Sequence, residues 1–214
     1  MTFLFQVLPD LPAPPPDIIA AVDLNLRPDV AKDIGRTQIR HLHNWYGRDF
    51  TAPRNIRVAY PAFESWVTAT LGDRINDAGI NYNCIDPGSG PISSGAHTDF
   101  TRSYALMWEI DPGGPESYLA YWRRRGQERL LWPPREQETD RDQLELVDRL
   151  RLPSNAWTLI NGQVLHSAEY MMSTRIFLQI SLINEQAVLS LKGMPPDIFK
   201  NQKNCKLIRV NTKY

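Results

Sequence analysis

The chain has 214 residues, 24 Lys plus Arg against 24 Asp plus Glu, six Trp and eight Tyr, enough for one sizeable core with no surplus of charge. Zero net charge argues against a constitutive nucleic-acid binder, which needs excess Lys and Arg to neutralise phosphates. No apolar run approaches the ~20 residues that span a bilayer, and two distant cysteines, Cys84 and Cys205, form no metal-type cluster and suit a reducing cytoplasm.

Residues 3–8 (FLFQVL) read as an edge strand. They lack the basic n-region and small-residue cleavage site of a signal peptide. Pro9, Pro12 and Pro14 to Pro16 then impose an extended path. Residues 17–22 predict a helical turn capped by Asp17. Over 28–46, Val30, Ile34, Leu42, Trp45 and Tyr46 recur near every 3.6 residues and predict a helix, with Pro28 in its first turn and Gly47 at its end. His41 and His43 fall within it and would point in different directions, so they do not jointly hold a metal. Residues 61–71 predict a second helix with Phe63, Trp66, Val67 and Leu71 as its apolar stripe and Gly72 or Gly79 as its stop. Residues 1–79 are thus expected to be a helical buttress against a sheet.

After Gly79 the texture becomes that of short strands. Residues 80–85, 104–110 (YALMWEI) and 118–122 (YLAYW) read as strands, separated by the turn-rich stretches 86–90 and 111–115. The charge-rich segment 123–151 reads either as a solvated excursion or as a loop over a site, with a short helix expected within 139–150. Asn161-Gly162 lies between two apolar runs, 157–160 and 163–166, and predicts a hairpin. Residues 175–183 (RIFLQISLI) form the clearest strand. Arg175, Phe177, Gln179 and Ser181 share one face, suited to a polar pocket; Ile176, Leu178, Ile180 and Leu182 share the other, suited to packing on helices. The basic stretch 191–214 reads as a tail. Many short strands after two helices predict an α+β chain, one domain over 1–214, with a jelly-roll core over 80–190.

The chemistry concentrates at His97-Thr98-Asp99. In an extended chain, side chains two apart share a side, so an imidazole and a carboxylate can converge on one cation. His166, in strand-like sequence, is the candidate third ligand. Two histidines and one carboxylate with open positions are the donor set of non-haem Fe(II) oxygenases. His97-Thr98-Asp99, His166 and Arg175 nine residues later resemble the His-x-Asp…His…Arg pattern of the Fe(II)- and 2-oxoglutarate-dependent oxygenases. Tyr82-Asn83 before the motif, Gly113-Gly114 after it and Pro153-Ser154-Asn155 before His166 resemble the prolyl-hydroxylase-like branch. The likeness covers residues 80–183.

That resemblance implies a double-stranded β-helix, a jelly roll, with Fe(II) on His97, Asp99 and His166. It implies 2-oxoglutarate as cosubstrate, with its distal carboxylate on Arg175 and a further hydrogen bond from Tyr82 or Asn83. Only one of those two adjacent residues can face inward. It also implies dioxygen and a primary substrate, with a peptidyl residue or an amino acid favoured. Asp99 keeps the carboxylate that the halogenases of the family replace, which implies a hydroxylase or related oxidase. Phe177 stands where some members carry Ser, so the Arg-x-Ser clamp is absent. Arg102 is left between two roles, substrate contact or pairing with an acid. Two other readings stay open: a cupin-like metalloenzyme that does not use 2-oxoglutarate, and a non-catalytic jelly-roll binding module.

Overall fold

The computed structural model describes residues 3–24, 39–41, 54–58, 60–85, 91–99, 102–138 and 140–199. The described strands form two antiparallel sheets. The larger has the order β1 (Phe5–Leu8), β10 (Trp157–Asn161), β6 (Tyr104–Asp111), β12 (Arg175–Leu182), β4 (Ile75–Cys84), β3 (Arg54–Val58) and β2 (Ile39–His41). The smaller runs β8 (Gln137–Glu138), β5 (Ala96–His97), β11 (His166–Glu169), β7 (Tyr118–Arg124) and β9 (Leu144–Leu150). Apart from β2, β3 and β4, neighbouring strands are not consecutive in sequence, and the chain passes repeatedly between the sheets. This fits a jelly-roll or β-sandwich architecture.

The two-residue period of β12 explains the layering. Every residue of the strand is buried because both faces are covered. Ile176, Leu178, Ile180 and Leu182 pack against Ile18 of α1 (Pro16–Ala20) and Phe63, Val67 and Leu71 of α2 (Pro61–Leu71). Phe177 turns the other way, into a second core with Met107, Leu119, Tyr121 and Ile160 between the sheets. The expected two-faced strand is therefore present, and so is the edge strand at β1.

α2 begins with Pro61, whose fixed φ suits the first turn, and ends at Gly72, whose φ of +65° favours glycine. Trp157 joins this helix to the sheet. Its ring lies 6.5 Å from both Phe63 and Trp66, nearly parallel to each, and its indole N–H donates to the Pro12 carbonyl at 2.8 Å.

Five expectations are corrected. Asp17 does not cap the first helical turn. Pro15 is the cap, and Asp17 lies in the first turn, where a carboxylate still complements the helix dipole. The first 79 residues are not a helical buttress alone, because β1, β2 and β3 join the large sheet. Residues 25–38 and 42–53 of the expected first long helix and its surroundings lie outside the described residues. The described part, Ile39–His41, is a strand, since the ladder offered by β3 overrides a weak helical period. The third helix, α3 (Glu185–Leu189), comes from beyond β12 and adds Ala187 and Val188 to the same layer. Residues 139–150 do not form a helix either; a single 3-10 turn, Arg141–Gln143, leads into β9 on the free edge of β7.

Fifth, Asn161-Gly162 does not close a hairpin. β10 and β11 lie in different sheets, so the turn carries the chain from one to the other. Asn161 still acts as a turn residue: its side-chain oxygen accepts the Gln163 N–H at 3.0 Å. Beyond α3, Phe199 packs edge-on against Phe3 and Tyr104, and residues 200–214 lie outside the described residues. Among the described residues, no helix is long and apolar enough to cross a membrane.

Phe63 is fully buried where helix and sheet meet. Phe63→Ala should cost about 3–5 kcal/mol of stability in urea unfolding, the range for emptying a buried aromatic site.

Candidate metal centre

β5 is two residues long, yet it is paired on both edges. Ala96 and His97 lie opposite Glu138 and Gln137 of β8, and His97 lies opposite His166 of β11. The two imidazoles are thus cross-strand neighbours with ring centroids 4.8 Å apart. Asp99 follows just past the end of β5 and returns to the same side. One ligand atom each from His97, Asp99 and His166 lies within 4.8 Å of the others, a grouping that could hold a metal ion.

Thr98, between His97 and Asp99, faces away and is fully buried. Its hydroxyl donates to the Pro133 carbonyl at 2.7 Å and accepts the Glu136 N–H at 3.0 Å, and its own N–H reaches the Glu136 carbonyl at 2.9 Å. The charge-rich stretch once open to reading as a solvated excursion therefore grips the motif from behind.

Both histidines are held in the same way. His97 Nδ1 lies 3.0 Å from the Gly95 carbonyl, and His166 Nδ1 lies 2.9 Å from the Val164 carbonyl. A carbonyl only accepts, so Nδ1 carries the hydrogen and Nε2 is the lone-pair nitrogen. That is the tautomer a metal-binding histidine needs. Burial, helped by repulsion from His166, lowers the His97 pKa to about 4, so the ring stays neutral around pH 7. Asp99 is pulled below the usual carboxylate value: burial would raise it, but Arg102 and the two histidines outweigh that.

Arg102 resolves in favour of pairing with an acid. Its Nε and Nη2 donate to the two Asp99 oxygens at 2.8 and 3.1 Å. The Asp99 N–H donates to the Gly162 carbonyl at 2.8 Å, and the Gly162 N–H donates to the Ser103 carbonyl at 2.8 Å. A Cβ at Gly162 would sit 2.5 Å from Asp99 Oδ2 and 2.8 Å from the Arg102 carbonyl. Glycine is needed here for space.

The triad opens on a cleft between the sheets with about 560 Å³ of empty space, mouth included. Its opposite wall is the mixed face of the large sheet: Arg175, Phe177 and Gln179 of β12, and Asn81 and Asn83 of β4. Of the adjacent pair expected to compete, Asn83 faces the cleft. Tyr82 does not; it lies in the core under the helices, because neighbours on a strand take opposite faces. Burial raises its hydroxyl pKa.

Arg175 is only 2% exposed and is already paired: Nε and Nη2 donate to Oε1 of Glu109 at 3.2 and 3.1 Å. Its guanidinium lies over Phe177, 5.3 Å from the ring centroid, where some oxygenases of the resembled family carry Ser. Sequence reasoning missed Glu109, Asn81 and the packing role of Gly162. The signal for Asn81 was its spacing of two from Asn83; for Glu109 it was a lone acid in the apolar run 104–110.

No protein-family model and no curated protein sequence matches the chain. Among solved structures it is similar to Escherichia coli ycfD at 13% identity and a TM-score of 0.37, covering 68% of this chain and 38% of that one. It is similar to a Pseudomonas putida prolyl-4-hydroxylase at 10% identity and 0.41, covering 84% and 93%. It is also similar to SnoK, a non-heme alpha-ketoglutarate-dependent carbocyclase of nogalamycin biosynthesis, at 13% and 0.42, covering 71% and 69%.

Two outcomes follow from this geometry. Gly162→Ala should weaken Co(II) binding by tenfold or more in a spectroscopic titration, because the added methyl must push the Asp99 carboxylate aside. His97 has a lowered folded-state pKa, so below its ordinary value of 6.5 the unfolded chain binds the proton and the folded chain does not. The metal-free protein should therefore lose stability as pH falls from about 6.5 to about 4. In urea unfolding, His97→Gln should flatten that part of the pH profile.

Proposed function

We propose that this chain is a non-haem Fe(II)- and 2-oxoglutarate-dependent oxygenase with a double-stranded β-helix core, working as one unit. We propose that it hydroxylates an amino acid or a residue in a peptide. The observation that carries the reading is the pairing of His97, Asp99 and His166 with a buried arginine on the facing wall of the same cleft.

The donor set fits Fe(II). It offers two imidazoles in the metal-binding tautomer and one ionised carboxylate, all nitrogen or oxygen. The cleft also fits a keto-diacid. Arg175 has five N–H donors, of which Glu109 engages only those of Nε and Nη2 on one edge. A planar guanidinium offers its remaining edge to a second carboxylate. When bound, Fe(II) with 2-oxoglutarate supplies dioxygen activation coupled to decarboxylation of the keto acid to succinate and CO2.

The chain's own residues do the rest. His97 and His166 hold lone-pair nitrogens toward the cleft. Arg102 keeps Asp99 ionised and fixes its plane. Gly162 leaves room for that carboxylate. Phe177 flanks the Arg175 guanidinium and restricts water around it. Asn83 takes the cosubstrate-side position for which Tyr82 was the other candidate. The peptide or amino-acid preference rests on the prolyl-hydroxylase-like resemblance of the motif alone.

One observation favours a second reading. Glu109 already neutralises Arg175, which would make that arginine structural and leave a metalloenzyme that does not use 2-oxoglutarate.

An anaerobic titration with Fe(II) and then 2-oxoglutarate tests this. Keto-acid chelation should produce a weak visible charge-transfer band in the wild type and none in Asp99→Ala. Iron binding without the band would replace the first reading with the second. Failure of iron to bind would refute both.

A further inference from the structure

The strongest unexplained feature is the partner of Arg175. Glu109 lies on β6, opposite Phe177 in the β6–β12 ladder. Both members of the pair are almost fully buried, at 7% and 2% exposure. The acid is not needed to satisfy a surface charge, and it sits beside the anchor that the reading above assigns to the distal carboxylate of the cosubstrate. The inference here rests on that reading.

Charge balance makes the consequence specific. With Glu109 ionised, Arg175 and Glu109 are neutral together. A keto-diacid that brings its own carboxylate to Arg175 then leaves two anions on one cation, out of reach of bulk water. Among the described residues, no other cation faces the pair to compensate. Asp111, on the same strand, adds negative charge. From the small sheet, Tyr121 feels the Arg175 charge, and its fully buried hydroxyl stays protonated, held well above its ordinary range by burial. Arg102 is committed to Asp99. The least costly relief is a proton on Glu109.

We propose that Glu109 is a proton-coupled gate on the Arg175 anchor: when a dicarboxylate keto acid binds, Glu109 takes up one proton from solvent. The carboxylate becomes a neutral acid that can stay beside Arg175, and the ligand carboxylate becomes the counter-ion. No other bond is made or broken. Proton uptake on binding means that affinity falls as pH rises. The environment is prepared for this step, since burial pushes the Glu109 carboxyl up against the opposing pull of Arg175.

The test uses the full chain loaded with Co(II), which is stable in air without turnover. Binding of 2-oxoglutarate is measured calorimetrically at pH 6, 7 and 8, each in two buffers of different ionisation enthalpy. Both ligand carboxylates are ionised throughout this range. The expected result is uptake approaching one proton per ligand, with Kd rising by up to tenfold per pH unit. In Glu109→Gln, the amide oxygen can still accept from Arg175, so binding should be flat with pH, without proton uptake, and tighter than wild type at pH 8. Wild-type binding with no proton uptake and a flat Kd would overturn the gate and leave the anchor standing. Wild-type uptake that persists undiminished in Glu109→Gln would assign the proton elsewhere and also overturn it. No binding to wild type or variant at any pH would overturn the anchor, and the gate with it. If Glu109→Gln does not fold, the wild-type proton count decides alone.

Discussion

The site depends on a single register position. His97 and His166 meet because one stands directly opposite the other between β5 and β11. A slip of one residue would turn either imidazole out of the cleft. Nothing within a two-residue strand protects against such a slip. The protection comes from outside: β8 pairs on the free edge of β5, and Thr98 is tied on both sides to the segment around Glu136. Gly162 adds a third restraint, accepting the Asp99 N–H while leaving no spare volume for that side chain. The three triad side chains therefore sit on short elements but are tied in place by neighbouring segments, as a site that could hold a metal requires.

Electrostatics divides the cleft into two balanced halves. One half is Asp99 with Arg102, beside His166 and a His97 that burial holds neutral. The other is Arg175 with Glu109. Each half is close to zero charge, so neither a lone dication nor a lone dianion is strongly invited. In the proposed function, a metal cation and a keto-diacid enter together, and their charges cancel. The protein then has only local imbalances to absorb: Arg102 beside the metal ligands and Glu109 beside the diacid.

Much of this was legible in residues and spacing. The alternation in 175–183 separated a helix-facing side from a cleft-facing side, and the structure divides the strand on that line. The helix over 61–71 was legible because its stripe, its starting Pro61 and its closing Gly72 agree. Where the reading failed, the deciding information was non-local. Residues 39–41 and 144–150 become strands because β3 and β7 offer them a ladder, and no local period announces a partner elsewhere in the chain. Asn161-Gly162 has hairpin chemistry but serves a crossing between sheets, since the turn residues specify a reversal and not which strand receives it. Tyr82 against Asn83 could not be decided without knowing which face of β4 the helices cover.

The Arg175–Glu109 pair carries the same lesson into energetics. A buried ion pair is weak evidence of stabilisation, since an apolar pair of similar volume often does as well. The outer side of the small sheet offers a contrast. There Arg141 pairs with Glu169 while also donating to the Ser94 carbonyl and lying over Trp122, and Ser167 donates to the same Glu169 carboxylate. That pair has several further partners and lies on the side of the sheet away from the triad, which suffices to explain it as structure. Among the described residues Glu109 has one partner, Arg175, through one oxygen, and that arginine lines the wall facing the triad. Its desolvation is poorly offset as it stands. A carboxylate kept in such a place makes physical sense where its charge is meant to change.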